Sequence, residues 1–235
     1  MLLMTHTTTS AHGRPPLAVW ACGPARGQPV PERLAQRLVH EYTQCGDTIA
    51  DLTGTGLVAD QAERARRASE VVASTSSEHE DEVAWADLTV AALPAIDEPA
   101  RVRKHRARAQ VTFAAMITRP GGIIATITPV GHAPDGSVVD PAPGLVRAAA
   151  CAGLVYVQHV VAVTAPICEL GLGSAIAVRD RDFDSDLEEM DTALPVSVAD
   201  AAATITSPAH LNVSVFRVPK KGRTPAANTA GEVEA

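Results

Sequence analysis

Asp51, Gly54 and Gly56 fall close together in the stretch GDTIADLTGTG, which runs from Gly46 to Gly56. A short apolar run through Ile49 and Ala50 ends in a carboxylate, and the two glycines follow with Thr53 and Thr55 beside them. Such a strand-to-loop edge can bring backbone amides against a ligand. A glycine pair after a short strand serves equally where a tight turn needs positive φ, so these residues leave both uses open.

A second set closes the apolar run AWADLTVAALP: Ala92, Leu93, Pro94 and Ala95 stand where that strand ends. Just beyond it comes the main basic concentration, Arg101, Arg103, Lys104, His105, Arg106 and Arg108. Cations so placed suit two or three phosphate contacts of a nucleic acid. No aromatic side chains are interleaved for base stacking, and the acids of EHEDE nearby offer these cations other partners. His132 and His159 lack the company of a nucleophile and carboxylate, and they read as core or surface histidines. The acidic run DRDFDSDLEEMD lacks the mid-loop glycine of a calcium loop and reads as an exposed loop or a partner-facing surface.

The elements that must position these groups can be read from periodicity. PERLAQRLVHEYTQCG gives a helix opening at Pro31, with Leu34, Leu38, Val39 and Tyr42 at helical spacing and Gly46 as its stop. A strand follows over Asp47 to Asp51. After the glycine turn, LVADQAERARRASEVVAS reads as one helix with a thin face of Ala59, Ala62, Ala65 and Ala68. A buried strand ending at Pro94 precedes an arginine-rich helix that turns apolar at Val111, Phe113, Met116 and Ile117 and stops at Pro120-Gly121-Gly122. IIATIT is the next strand, PGLVRAAACAG the next helix, LVYVQHVVAVTA and HLNVSVFRV the last two strands. Strands alternating with helices call for a largely parallel sheet covered on both faces.

The chain has 235 residues, 46% hydrophobic, which suits one α/β domain over residues 17–219 between disordered ends at 1–16 and 220–235. Aromatics make up only 3%, so the core must be assembled from small side chains. A net charge of -7 disfavours holding nucleic acid by bulk electrostatics and leaves only a local patch for that purpose. The four cysteines, Cys22, Cys45, Cys151 and Cys168, have neither zinc-ligand nor disulfide-framework spacing. With no secretory signal and no membrane-length apolar run, the expectation is a cytoplasmic protein.

Taken in order, PERLAQRLVHEYTQCGDTIADLTGTG, RPGGIIATIT, GLVRAAACAGLVYVQHVVAV and HLNVSVFRVPK resemble a shortened, degenerate member of the S-adenosylmethionine-dependent amino-methyltransferases of DNA and RNA, the N-4/N-6 DNA methylase group. The resemblance covers about Val30 to Lys220. It implies a Rossmann-like open twisted sheet of the class I methyltransferase type, with the first strand beside the Asp87 strand, then the Ile123 strand, and the final two beyond. It also implies that Asp51, Thr53, Gly54, Thr55 and Gly56 hold S-adenosylmethionine, the turn cradling its methionine part. A dinucleotide is the lesser alternative, because Leu57-Val58-Ala59 stands where the third glycine of G-x-G-x-x-G belongs.

Two departures qualify what the resemblance implies. The family places a second strand, ending in an acid that bonds the cofactor ribose, and a third strand before the catalytic one. The interval from Gly56 to Asp87 is too short for both beside a long helix, so a sheet truncated to five or six strands is expected, with Glu78, Glu80, Asp81 and Glu82 the acids available. The Asp47 strand would then be an edge in need of cover, which makes a homodimer an expectation. In the family, Asp, Asn or Ser followed by Pro-Pro and an aromatic grips the target amine; here Ala92 takes the polar position and only Pro94 survives. The implied function is a methyltransferase-like protein with a degenerate catalytic motif. The alternative is an inactive binding or regulatory subunit of the same fold, with a nicotinamide-type Rossmann protein a distant third.

Overall fold

The computed structural model describes residues 15–23, 29–72, 84–93, 98–132, 137–164, 167–168, 171–172 and 209–220. In chain order the elements are β1 (Leu17–Ala21), α1 (Glu32–Tyr42), β2 (Thr48–Leu52), α2 (Leu57–Arg64), β3 (Ala68–Val71), β4 (Ala86–Ala92), α3 (Ala100–Ile117) and β5 (Thr118–Pro129). They continue with β6 (Gly131–His132), β7 (Val138–Val139), α4 (Ala142–Cys151), β8 (Val155–Val163), β9 (Ile167–Cys168), β10 (Gly171–Leu172) and β11 (His210–Arg217).

Seven strands form one sheet in the order β1-β8-β11-β5-β4-β2-β3, while β6 with β7 and β9 with β10 make two small ladders. Neighbours in the main sheet run parallel except β11, which is antiparallel to both β5 and β8. This is the expected α/β open sheet of Rossmann-like type, and the order β2, β4, β5 followed by the last two strands is the expected one.

Alternating side chains along the strands feed two cores. On one face Leu34, Leu38 and Val39 of α1 and Val58 and Ala62 of α2 pack on Ile49, Leu88, Val90 and Val213. On the other, Val111, Ala114 and Ile117 of α3 and Leu145 and Ala149 of α4 pack on Ala50, Ala91, Ile124 and Phe216. Most of these side chains are Ala, Val, Leu or Ile, which lets helices lie close to the sheet, as the low aromatic content requires.

Several expectations are corrected. The sheet has seven strands rather than five or six, because β1 joins β8 at one edge and β3 joins β2 at the other. The stretch read as one helix from Leu57 to Ser74 is helical only to Arg64. Arg66 takes a positive φ of 56°, the Arg67 amide closes the helix end by donating to the Ala62 carbonyl at 2.9 Å, and Ala68–Val71 then pairs with β2. Ala-Ser-Glu-Val suits either state locally, and the backbone partners offered by β2 decide it. The Asp47 strand is therefore interior, flanked by β3 and β4, and the edge argument for a homodimer does not apply to it.

Pro120-Gly121-Gly122 does not separate helix from strand either. α3 passes into β5 at Thr118, and the Pro-Gly-Gly residues lie in a bulge, where the partners of β4 jump from Ala86↔Thr118 to Leu88↔Ile123. The bulge is tied on its far side to the end of β11, the Gly121 amide donating to Val218 and the Val218 amide to Gly122.

Candidate functional site

The strand order reverses direction between β2 and β4: the chain leaves β2 through α2 to β3 on one side and returns to β4 on the other. Ligands of open α/β sheets bind over the carboxyl ends of strands at such a switch point. Leu52, at the end of β2, is in register with Ala91 of β4, so the glycine turn and the Ala92-Leu93 end are brought side by side.

Asp51 organises the turn. It is fully buried, and both carboxylate oxygens accept hydrogen bonds from the chain that follows. Oδ1 takes the Thr53 amide at 2.9 Å and the Thr53 hydroxyl at 2.6 Å, while Oδ2 takes the Val58 and Ala59 amides at 3.0 and 3.1 Å. Those amides are orphan donors of the first turn of α2, which has no side-chain cap at Gly56. Asp51 thus supplies the cap from the preceding strand, and its charge meets the positive end of the helix. Its carboxylate, expected from the resemblance to help hold the methyl donor, is buried and bonded within the chain, where it shapes the turn.

Thr53 and Thr55 join hydroxyl to hydroxyl at 2.8 Å, and Thr55 also accepts from the Leu57 amide at 3.3 Å. Gly54 and Gly56 both have φ of 72°, and a Cβ on either would meet no atom within 4 Å. The turn is therefore held from below by Asp51, and among the described residues nothing crowds Gly54 or Gly56 from above. The carboxyl end of β3 flanks it, with the Val72 amide donating to the Asp51 carbonyl. Glu78, Glu80, Asp81 and Glu82, the candidates for a ribose contact, lie outside the described residues.

At the end of β4, Ala92 is half-buried and offers only a methyl group. Its carbonyl accepts from Gln110 Nε2 of α3 at 3.2 Å, and Gln110 Oε1 is buried with no partner among the described residues. Pro94 and Ala95 lie outside the described residues. Gln110 escaped the sequence reading, although the signal was there: it stands three residues after Ala107 and four before Ala114, at helical spacing with residues that are buried on α3.

The basic cluster does not form one face. Arg103, Lys104 and Arg108 line a groove between α3 and α4, whereas Arg101, His105 and Arg106 border a shallow hollow on α3 itself. Arg106 pairs with Glu98 at 2.6 Å, and Arg103 donates to the Glu98 carbonyl at 2.6 Å. Arg147 of α4 adds a cation to the groove that the sequence reading missed, though it is the one charge in an otherwise apolar helix.

His159 lies far from the switch point, on β8, where its Nδ1 meets the Tyr156 hydroxyl at 2.7 Å. Burial, the largest influence, pushes the Tyr156 phenol above its ordinary range. Asp87 also serves structure: at the opposite end of the sheet it accepts from the Thr48 amide at 2.9 Å and pairs with Arg119 at 3.2 Å. The side chain of His132 and the acidic run of residues 180–191 lie outside the described residues. Among the described residues, no helix is long and apolar enough to cross a membrane.

No protein-family model matches the chain, and no curated protein matches it. Solved structures do resemble it in shape. TrmN from Thermus thermophilus aligns with a TM-score of 0.48 at 13% identity, over 83% of this chain and 51% of that one, so this chain spans about half its length. Geranyl diphosphate C-methyltransferase from Streptomyces coelicolor A3(2), in complex with S-adenosyl-L-homocysteine, gives 0.45 at 13% identity over 78% and 79%. The [4+2]-cyclase SpnF gives 0.43 at 15% identity over 80% and 82%. At these values the likenesses carry no argument about activity, and the Rossmann-like α/β fold stands on the strand order itself.

Proposed function

We propose that the chain is an S-adenosylmethionine-binding protein of methyltransferase type, related to the DNA and RNA amino-methyltransferases, in which the amine-gripping end of β4 has been lost. The observation that carries this reading is the turn Thr53–Gly56, buttressed by Asp51 and open above, at the switch point beside Ala92. The fit is to the methionine part of the donor, which needs a closely approachable backbone rather than a free anion site. Asp51 already occupies the α2 amides that a phosphate would seek, which weighs against a dinucleotide.

When bound, the donor supplies an electrophilic methyl group on a sulfonium. The protein's part is to hold and orient. Thr53 and Thr55 fix the turn through their hydroxyls, and Leu57 and Leu52 on either side of it anchor the chain in the two cores. Ala92 cannot accept a hydrogen bond through its side chain, which supports reading the polar acceptor of the family tetrad as lost here, and the Ala92 carbonyl itself accepts from Gln110. That same observation favours a second reading, a catalytically inactive relative that binds the donor as a regulatory or partner subunit. Any transfer that occurs relies on positioning donor and acceptor in line.

Calorimetric titration with S-adenosylmethionine and its demethylated product decides the matter. Micromolar affinity that disappears in Gly54→Val, with Arg33→Ala unchanged as the control, is the expected result. Absence of heat at millimolar ligand, in a chain shown to be folded, overturns the reading.

A further inference from the structure

Between α3 and α4 runs a groove of about 500 Å³. Its floor is apolar, made by Leu93, Ala107, Leu145 and Ala148, and its rim carries Lys104 and Arg108 from α3 and Arg147 from α4. Among the described residues none of these three cations has a carboxylate partner: Glu98 is engaged with Arg106, and Asp140, also at the groove, accepts from the Ala142 amide and from Asn212 Nδ2. Asp140 is bonded only by neutral donors and keeps its charge, so the three cations leave the groove with a positive excess, which an anion lying over the apolar floor balances.

We propose that this groove binds a small organic anion with an apolar body, its carboxylate or phosphate head on Lys104, Arg108 and Arg147 and its body along the floor. The volume falls in the range of about 300–1,000 Å³ typical of small-molecule sites. Among the described residues the groove presents no aromatic ring on which a base could stack, so a nucleic-acid strand is the poorer occupant. Leu93 directly follows Ala92, so the groove opens beside the switch point. Binding here stands without the methyl-donor reading; service of the bound anion as methyl acceptor rests on it.

The test is calorimetric titration of the full chain with decanoate, n-octyl phosphate, 1-octanol and a short single-stranded DNA oligonucleotide, each with and without S-adenosylmethionine. Saturable binding of at least one of the two anions is expected, with 1-octanol about tenfold weaker or more. Arg108→Ala and Arg147→Ala are each expected to weaken the anion about three- to tenfold, and Arg33→Ala on α1 to leave it unchanged. Preference between the anions then names the head group. Equal binding of 1-octanol, anion binding untouched in the Arg108→Ala/Arg147→Ala double variant, or binding of the oligonucleotide alone would overturn the proposal. Anion binding that persists when S-adenosylmethionine fails to bind supports the groove and sinks only the donor reading.

Discussion

Asp51 shows how a residue can be found by its type while its hydrogen-bond partners stay hidden. A carboxylate at a strand end before two glycines is legible in the sequence; that both its oxygens are consumed by Thr53, Val58 and Ala59 is not, because the donors come from two separate turns of the chain. Asp51→Ala is expected to destabilise the fold by about 2–4 kcal/mol in denaturant titration, since it strands two helix amides and the Thr53 donors. Asp51→Asn keeps the shape but turns an amide group toward donors, so it should lose a similar amount; stability equal to the parent would refute the capping role. At Gly54 the cost is purely conformational, because a Cβ there meets nothing. Gly54→Ala should therefore lose about 1–2 kcal/mol, and Gly54→Asn distinctly less, since asparagine tolerates the left-handed region.

Among the elements, those with strong periodicity were legible and those decided by partners were not. Leu34, Leu38 and Val39 of α1 are buried where their spacing put them, and β4, β8 and β11 fall where their apolar runs lie. By contrast β3 is exposed along its whole length and carries no alternation to betray a strand; only pairing with β2 makes it one. β1 was missed because Leu17 and Val19 are largely exposed on one side while Trp20 is buried on the other, a pattern too short to register. The bulge in β5 permits a paired test. A Cβ at Gly122 would sit 2.8 Å from the Thr118 methyl and 3.0 Å from the carbonyl oxygens of Arg119 and Asp87, whereas one at Gly144 in α4 meets nothing. Thermal unfolding should place Gly122→Ala about 1–3 kcal/mol below the parent and Gly144→Ala up to about 1 kcal/mol above it. Equal shifts at the two sites would mean that the bulge yields freely.

Across the whole molecule, the α/β class could be read from the alternation of elements and the order of the five inner strands followed from the family resemblance, but neither gave the two edges. The thiols offer a view of how the assembled molecule opens. Cys22 is buried in the core under α1, and desolvation pushes its thiol above the usual range despite the nearby Arg37 and Arg33, while Cys45 and Cys151 are exposed. In a chain whose only thiol is Cys22, made by serine at positions 45, 151 and 168, a thiol reagent is expected to react at a rate that tracks global unfolding across denaturant. Prompt reaction in the native state would show that this core breathes locally. The place of β11 has a further consequence, for biosynthesis. It is hydrogen-bonded to β5 on one side and β8 on the other, so before residues 210–217 have emerged from the ribosome no strand among the described residues joins the ladder β3-β2-β4-β5 to the ladder β8-β1. The nascent chain must carry two open strand edges until residues 210–217 are out of the ribosome, and resistance to protease should appear only once they are free to insert.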